Sequence, residues 1–349
     1  MTNDSVAGIS TPPLLFSGEF YTSVKFLTSL WLAIISFGML SNTTNFLVFL
    51  KSGLKDNVTI LLFCLSISDI SFLVLITPTV ATSLIFVHAP TWPWPFDRRI
   101  VSFLLYWPAF TFYDFSAYLS VCLGVMRCAC VAMPLHFKLV FTKSRTMAAV
   151  VIIFCSTILL RIPVLTVHSV GMKMNPLTNQ SYAYLKKDSS EVKVFINDVL
   201  NRTSMPWVSF IIMVTCVIIL TYKLFDASKV RLSHTSCPEP ATNNPSDDQK
   251  TEGQQRREKH INQSMSSKEA QVVRSVVLVC VIFILSQLPF LLYSTARLIY
   301  PEFDEDTHFR FLFGFCSNIS VTCSYLNASV NIFVYYKFNS HVTLGKDYN

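Results

Sequence analysis

The sequence predicts an all-α membrane protein, a bundle of seven transmembrane helices with its amino terminus outside and its carboxyl terminus inside the cell. Of the 349 residues, 52% are hydrophobic and 14% are charged, whereas soluble domains average about 25% charged residues. Seven apolar stretches each reach the length of about 20 residues that a membrane-spanning helix needs. A water-soluble core could not bury so much apolar surface, so we expect a lipid bilayer around the chain.

The seven apolar stretches follow one another along the chain, and none contains more than one Asp, Glu, Lys or Arg. They cover residues 26–50, 58–87, 100–125, 147–168, 203–222, 275–296 and 311–336. The charged residues within them are Asp69, Asp114 and Arg161. These stretches predict seven helices in this order.

Basic residues predict the orientation, because cytoplasmic segments of membrane proteins are rich in Lys and Arg. With the amino terminus outside, most of the Lys and Arg residues fall in cytoplasmic segments. Residues 1–25 then form an extracellular amino terminus, residues 26–336 the helical domain and residues 337–349 a short cytoplasmic tail. Residues 168–202 form the longest outer loop. Residues 227–270 are polar and rich in Pro, Asn and Ser, so we expect a disordered cytoplasmic loop there.

Polar side chains recur within the apolar stretches, several of them at helical spacing. They are Asp69 in the second stretch, Ser116 and Ser120 in the third, Arg127 just after the end of the third, and Asn327, Asn331 and Tyr335 in the seventh. Polar groups are costly in lipid, so we expect these side chains to face the interior of the bundle. Two interpretations are open: hydrogen bonds that join helices, or a hydrated core that binds a cation and changes state.

Five short motifs, in this order, resemble those of the rhodopsin-like family of G-protein-coupled receptors, and the resemblance covers roughly residues 26–342. The motifs contain Asn45, then Leu65 with Asp69, then Arg127 followed by Pro134 and Leu135, then Phe283 with Pro289, and finally Asn331 with Tyr335. Residues 331–340 are also similar to invertebrate peptide-type or chemosensory receptors. The order and spacing of the five motifs carry the resemblance, since each motif alone is short.

The resemblance implies a multi-pass receptor of the plasma membrane. Such a receptor converts binding of an extracellular ligand, here a peptide or a small chemosensory molecule, into activation of a heterotrimeric G protein. Activation and coupling would rest on Arg127, Phe283, Pro289, Asn331 and Tyr335. We expect no enzymatic activity, cofactor or nucleic-acid partner, because the sequence has no catalytic motif, phosphate-binding loop or dense basic stripe.

The resemblance also implies two sites within the bundle. The candidate ligand pocket comprises Tyr113, Asp114, Gln287, Ser294, Arg297 and Tyr325. The candidate sodium site comprises Asp69, Ser116, Asn327 and Asn331, and we expect no other metal. Asp114 either receives a cationic ligand group or pairs with a neighbour such as Gln287. Arg297 either binds a ligand carboxylate or extends to the membrane surface, and Arg161 is expected to extend outward.

Several positions differ from the family pattern. Met126 replaces the acidic residue before Arg127, Gln287 stands where the family has a Trp, and Ile332 replaces a proline. Ser102 occupies the usual cysteine position, so we expect no disulfide from the third helix to the following outer loop. These differences keep open a non-signalling decoy or scaffold with a receptor fold. A seven-span transporter or channel is the other alternative, disfavoured by the lack of internal repeats.

Overall fold

In the part of the chain that the structure describes, seven long helices and one β-hairpin are present. The computed structural model describes residues 14–54, 56–89, 91–92, 94, 96–97, 99–133, 137, 139–174, 181–187, 191–235, 267–304 and 307–331. The elements are α1 (Leu14–Ser52), α2 (Asn57–His88), α3 (Arg99–Ala132), α4 (Lys143–Leu165), β1 (His168–Met174), β2 (Ser181–Lys187), α5, α6 (Ser267–Ile299) and α7 (Arg310–Ser329). α5 is one continuous helical run made of Glu191–Ile196, a π-helical stretch Asn197–Ser204, and Met205–Thr235.

Local sequence fixes several helix ends. Gly53 ends α1 with a φ of 78°, a left-handed conformation that glycine adopts without steric cost. Asp56 caps α2, because its carboxylate accepts a 2.9 Å hydrogen bond from the Thr59 N–H. Thr142 caps α4 in the same way through the Arg145 N–H. Such caps satisfy N–H groups that the first turn of a helix leaves without a partner.

The helices pack side by side into a ring. α2 packs against α1 and α3, and α7 closes the ring by packing against α1 and α6. Within the described residues, six helices, α1 to α6, are long and apolar enough to cross a membrane. Large apolar side chains such as Leu40, Ile152 and Leu159 are exposed on the outer surface. A bilayer accounts for that surface, since soluble proteins rarely expose large contiguous apolar areas.

Small residues bring α1 close to α7 and α2. A Cβ atom added at Gly38 would lie 2.7 Å from Leu73 Cδ1 and 3.0 Å from Ser329 Cβ. The Ser41 hydroxyl donates a 3.0 Å hydrogen bond to the Ser329 carbonyl oxygen, and the Asn42 amide donates at 2.6 Å to the Ala328 carbonyl oxygen. These contacts hold the end of α7 against α1, two residues before Asn331.

The structure corrects the predicted boundaries. α1 begins at Leu14 rather than at residue 26. The loop predicted at 227–270 is too long at both ends, because α5 continues to Thr235 and α6 begins at Ser267. The outer loop predicted at 168–202 contains β1, β2 and the beginning of α5, while the bundle itself is helical, as predicted. Residues 1–13, 236–266 and 337–349 lie outside the described residues, as do Pro134, Leu135, Ile332 and Tyr335.

Candidate functional site

A cavity of about 300 Å³ lies among α3, α4, α5, α6 and α7, next to β2. We call this end of the bundle the hairpin end and the opposite end the Arg127 end. The aromatic residues that line the cavity are Phe103, Tyr106, Trp107, Phe110, Phe290, Tyr293 and Phe313. Its other lining residues are Arg99, Ser102, Asp114, Arg161, Leu185, Asn201, Arg202 and Ser317. An apolar lining with a few polar groups is the usual composition of a small-molecule site.

An ion pair forms the α3–α4 wall of the cavity. The Arg161 guanidinium donates a hydrogen bond to the Asp114 carboxylate, and it lies 5.5 Å above the Trp107 ring centroid. Arg161 is only 5% exposed, so the expectation that it extends outward is wrong. Of the two interpretations of Asp114, the structure supports pairing with another side chain of the protein. Its partner is Arg161 rather than Gln287.

The part of the cavity that contains Arg99 is connected to the hairpin through Asp97. The Arg99 guanidinium and the Asp97 carboxylate form an ion pair of 2.7 Å. The hydrogen bonds that Arg99 donates lower the pKa of the Asp97 carboxyl, so this carboxylate stays charged at neutral pH. The Asp97 N–H donates a 3.0 Å hydrogen bond to the Ala183 carbonyl oxygen of β2. The residues just before α3 therefore bind β2, the strand whose Leu185 lines the cavity.

The π-helical stretch of α5 supplies two lining residues. The Asn201 amide donates a 2.6 Å hydrogen bond to the Leu160 carbonyl oxygen of α4 and a 3.2 Å one to the Asn197 side-chain oxygen. The Arg202 guanidinium donates to the Tyr293 hydroxyl and lies 5.5 Å from the centroid of that ring. π-Helical turns are rare and are frequent at functional sites. The predicted outer loop extends to residue 202, so neither residue was among the predicted pocket residues.

The predicted pocket residues lie mostly away from the cavity. Of the six, Asp114 lines the cavity, and the other five are not among its lining residues. Tyr113 and Gln287 are buried and bonded to each other, with the Gln287 amide donating at 3.0 Å to the Tyr113 hydroxyl. Tyr325 is buried between α1 and α2, with its ring centroid 5.7 Å from that of Trp31.

The remaining two predicted pocket residues lie on α6. The Ser294 hydroxyl donates to the Leu291 carbonyl oxygen of its own helix. Arg297 donates a 2.9 Å hydrogen bond to Asp304, and its guanidinium also lies 3.8 Å from the Asp198 carboxylate. The protein's own carboxylates thus surround Arg297, which differs from both roles expected for it.

A polar cluster joins α2, α3 and the end of α7. The Asp69 carboxylate is 1% exposed. It accepts a 2.6 Å hydrogen bond from the Ser116 hydroxyl and a 2.7 Å one from the Asn331 amide. An ionised carboxylate has about four lone-pair sites, so acceptor capacity remains for a cation or water. Asn327 is half-buried one turn before Asn331, and it is not one of the two donors to Asp69.

The Arg127 end has a cation without a carboxylate partner in the described residues. The Arg127 Nε atom is buried there and makes no hydrogen bond within that part of the chain. Met126 is 1% exposed and packs with Leu65 and Leu123 in the core. The sequence difference at position 126 thus has a structural consequence: the residue beside Arg127 contributes to core packing and offers it no charge.

The two α6 residues of the predicted activation set lie between the cavity and the Arg127 end. Phe283 is buried against Met213 and Cys280, within the contact of α3, α5 and α6. Pro289 lies inside α6, where a proline has no N–H to donate to the preceding turn and is a common cause of kinks.

Comparison with known proteins gives one family. The model of a family described as 7 transmembrane receptor (rhodopsin family) matches residues 43–335, which is most of the chain and includes the cavity, the polar cluster and Arg127. No curated protein matches the sequence. The match confirms the family that the five motifs predicted. The chain therefore belongs to the rhodopsin family of seven-transmembrane, G-protein-coupled receptors.

Proposed function

We propose that this receptor binds an extracellular ligand in the cavity at the hairpin end and activates a heterotrimeric G protein at the Arg127 end. The hairpin end then faces the outside of the cell, and the receptor resides in the plasma membrane. One observation carries the proposal: α3 contributes to the cavity, to the polar cluster and to the Arg127 end, through Asp114, Ser116 and Arg127.

The geometry of α3 supports coupling between the sites. Asp114 and Ser116 are two residues apart, so at about 100° per residue they point to nearly opposite sides of the helix. Asp114 bonds α4 through Arg161, and Ser116 bonds α2 through Asp69. A rotation or shift of α3 therefore strains both contacts together. Arg127 lies about 20 Å further along the same helix, at 1.5 Å per residue from Asp114.

The ligand acts by preferring one arrangement of the helices. A ligand shifts a conformational equilibrium only by its difference in affinity for the two states. Asp69 joins α2, α3 and α7 through Ser116 and Asn331, so this cluster is where the two arrangements differ. A sodium ion beside Asp69 would favour the arrangement that keeps the cluster together, and it would oppose agonist binding by linkage.

Arg127 is the proposed contact for the G protein. In the described residues no carboxylate forms an ion pair with it, and its sequence neighbour Met126 is packed in the core. An arginine donates hydrogen bonds to carbonyl and carboxylate oxygens, which the carboxyl end of a docking Gα helix presents. Because position 126 is Met rather than an acidic residue, we expect measurable activity in the absence of ligand.

Nucleotide exchange tests the proposal. The receptor is reconstituted with a set of heterotrimeric G proteins, and GTP uptake is measured without ligand and with short peptides and small organic acids. Arg127→Ala should abolish exchange, whereas Lys51→Ala, an exposed cation at the end of α1, should leave it unchanged. Exchange no faster than in receptor-free vesicles under every condition would contradict the proposal and favour the decoy or scaffold.

A further inference from the structure

Charge is unevenly distributed within the cavity. Three arginines line it, Arg99, Arg161 and Arg202, against one carboxylate, Asp114. Guanidinium groups recognise carboxylates through paired, geometrically matched hydrogen bonds. The lining is otherwise largely aromatic, so an anionic ligand group that leaves water there needs one of these arginines as its partner.

Two of the three arginines already have close carboxylate partners. Arg99 donates two hydrogen bonds of 2.9 and 2.7 Å to Asp97 Oδ2, one from Nε and one from Nη2, and it points largely into solvent. Arg161 bonds Asp114 directly. Neither arginine can take a ligand carboxylate without giving up an ion pair of its own.

Arg202 differs from both. Its hydrogen-bond partner is the neutral Tyr293 hydroxyl, and its nearest carboxylate in the described residues, Asp198, lies 3.8 Å away. Asp198 is also 3.8 Å from Arg297, so one carboxylate is divided between two cations. Arg202 is therefore the lining arginine whose charge is least compensated at hydrogen-bonding distance.

We propose that the cavity binds an organic carboxylate, with the anionic group on Arg202 and an apolar or aromatic body against Phe103, Phe110 and Phe290. This inference rests on the proposed function and specifies the class of its ligand. The volume of about 300 Å³ is at the lower end of the range of ligand pockets, about 300–1,000 Å³. It suits a small carboxylic acid or the carboxyl-terminal residue of a peptide, which share this chemistry.

Position also favours Arg202 as the contact that transmits binding. It lies in the π-helical stretch of α5, and its hydroxyl partner Tyr293 lies on α6. A carboxylate that takes donors from Arg202 competes with the Tyr293 hydroxyl for them. Binding therefore changes the contact between α5 and α6, the two helices whose opposite ends pack around Cys128, the residue after Arg127.

The test measures binding without a G protein, so it is independent of signalling. The purified full-length receptor in nanodiscs is titrated with 3-phenylpropionate, indole-3-acetate and hexanoate, each beside its neutral amide, and binding is followed by ligand-observed NMR. The tripeptide Gly-Gly-Phe with a free or an amidated carboxyl terminus distinguishes a peptide source from a small acid. We expect at least one acid to bind about 10- to 100-fold more tightly than its amide, as expected for hydrogen bonds to a charged group.

Variants identify the arginine. Arg202→Gln should remove the preference for acid over amide, and Arg202→Lys should retain part of it, because the charge remains without the planar fork. Arg310→Gln is the matched control, since Arg310 is exposed at the start of α7 and does not line the cavity. If Arg202→Gln does not fold, the affinities for acid and amide are compared on the unaltered receptor and on Arg202→Lys. That comparison still shows whether Arg202 binds the carboxylate.

Three results would overturn the inference: no acid binds, acid and amide bind equally, or Arg202→Gln keeps the full preference for the acid. Arg127-dependent exchange without any acid preference would refute the ligand class and leave the proposed function standing. Acid binding without nucleotide exchange on any G protein would refute the proposed function and leave the ligand class standing.

Discussion

Neutralising Asp114 should destabilise the receptor, because it leaves the Arg161 guanidinium buried without its carboxylate. The Arg161 side chain is 6% exposed and the Asp114 side chain 26%. Removing one partner of a buried ion pair costs about 3–5 kcal/mol. The partial exposure of Asp114 to the cavity and the remaining contact of Arg161 with the Trp107 ring place the expected loss for Asp114→Asn near the lower limit, about 3 kcal/mol.

The native cysteines supply the assay. The nine cysteines in the described residues are free, and Cys128, Cys216 and Cys280 among them are buried. A thiol-reactive fluorophore therefore reports unfolding as these side chains become accessible. For Asp114→Asn we expect the midpoint of thermal unfolding to fall by on the order of 5–10 °C.

A double-mutant cycle separates the ion pair from the effect of each residue alone. Asp114→Leu combined with Arg161→Met removes both charges, so it should restore most of the stability lost by either single change. The coupling energy should be about 2 kcal/mol or more. Single effects that simply add, within about 0.5 kcal/mol, would refute the reasoning that the two side chains form a buried pair.

Three further changes test other parts of the structure. Gly38→Val should lower the unfolding midpoint by an amount equivalent to about 1–3 kcal/mol, because its side chain would meet Leu73; an unchanged midpoint would contradict the close approach of α1 and α2. Sodium should weaken binding of an activating ligand to the unaltered receptor but not to Asp69→Asn, measured by titration in sodium and in N-methylglucamine salts; equal sensitivity of both proteins would exclude a sodium site at Asp69. A tag on the amino terminus should react with antibody on intact cells and a tag on the carboxyl terminus only after permeabilisation, and the opposite result would contradict the proposed orientation.

The helices and part of the polar cluster could be predicted from the sequence. Apolar stretches had to become helices because every backbone polar group in lipid needs a partner within its own segment. Asp69 and Asn331, 262 residues apart, were expected to meet, since each would be costly in lipid, and they are bonded. Asn327, on the same face of the helix, is not bonded to Asp69, because one helical turn moves a side chain about 5.4 Å along the axis.

The cavity could not be predicted in the same way. Which polar residues pair depends on the rotation of each helix about its axis, and spacing within one helix does not fix that rotation. For this reason the sequence suggested Gln287 as a partner for Asp114, whereas Arg161 is the partner in the structure. Asn201 and Arg202 were not predicted to line the cavity because they fell in the predicted outer loop at 168–202, whereas they lie in the π-helical stretch of α5.

Movement of α5 against α6 at the Arg127 end is the behaviour that separates a receptor with two helical arrangements from a rigid bundle. Spin labels carried by unnatural amino acids at Tyr222 and Arg274, both exposed, avoid the native thiols, and pulsed electron resonance measures the distance between them. On addition of a nucleotide-free G protein, we predict a second, longer distance in the unaltered receptor and none in Arg127→Ala. A distance distribution that is identical with and without the G protein would contradict the claim that this receptor is a helical switch.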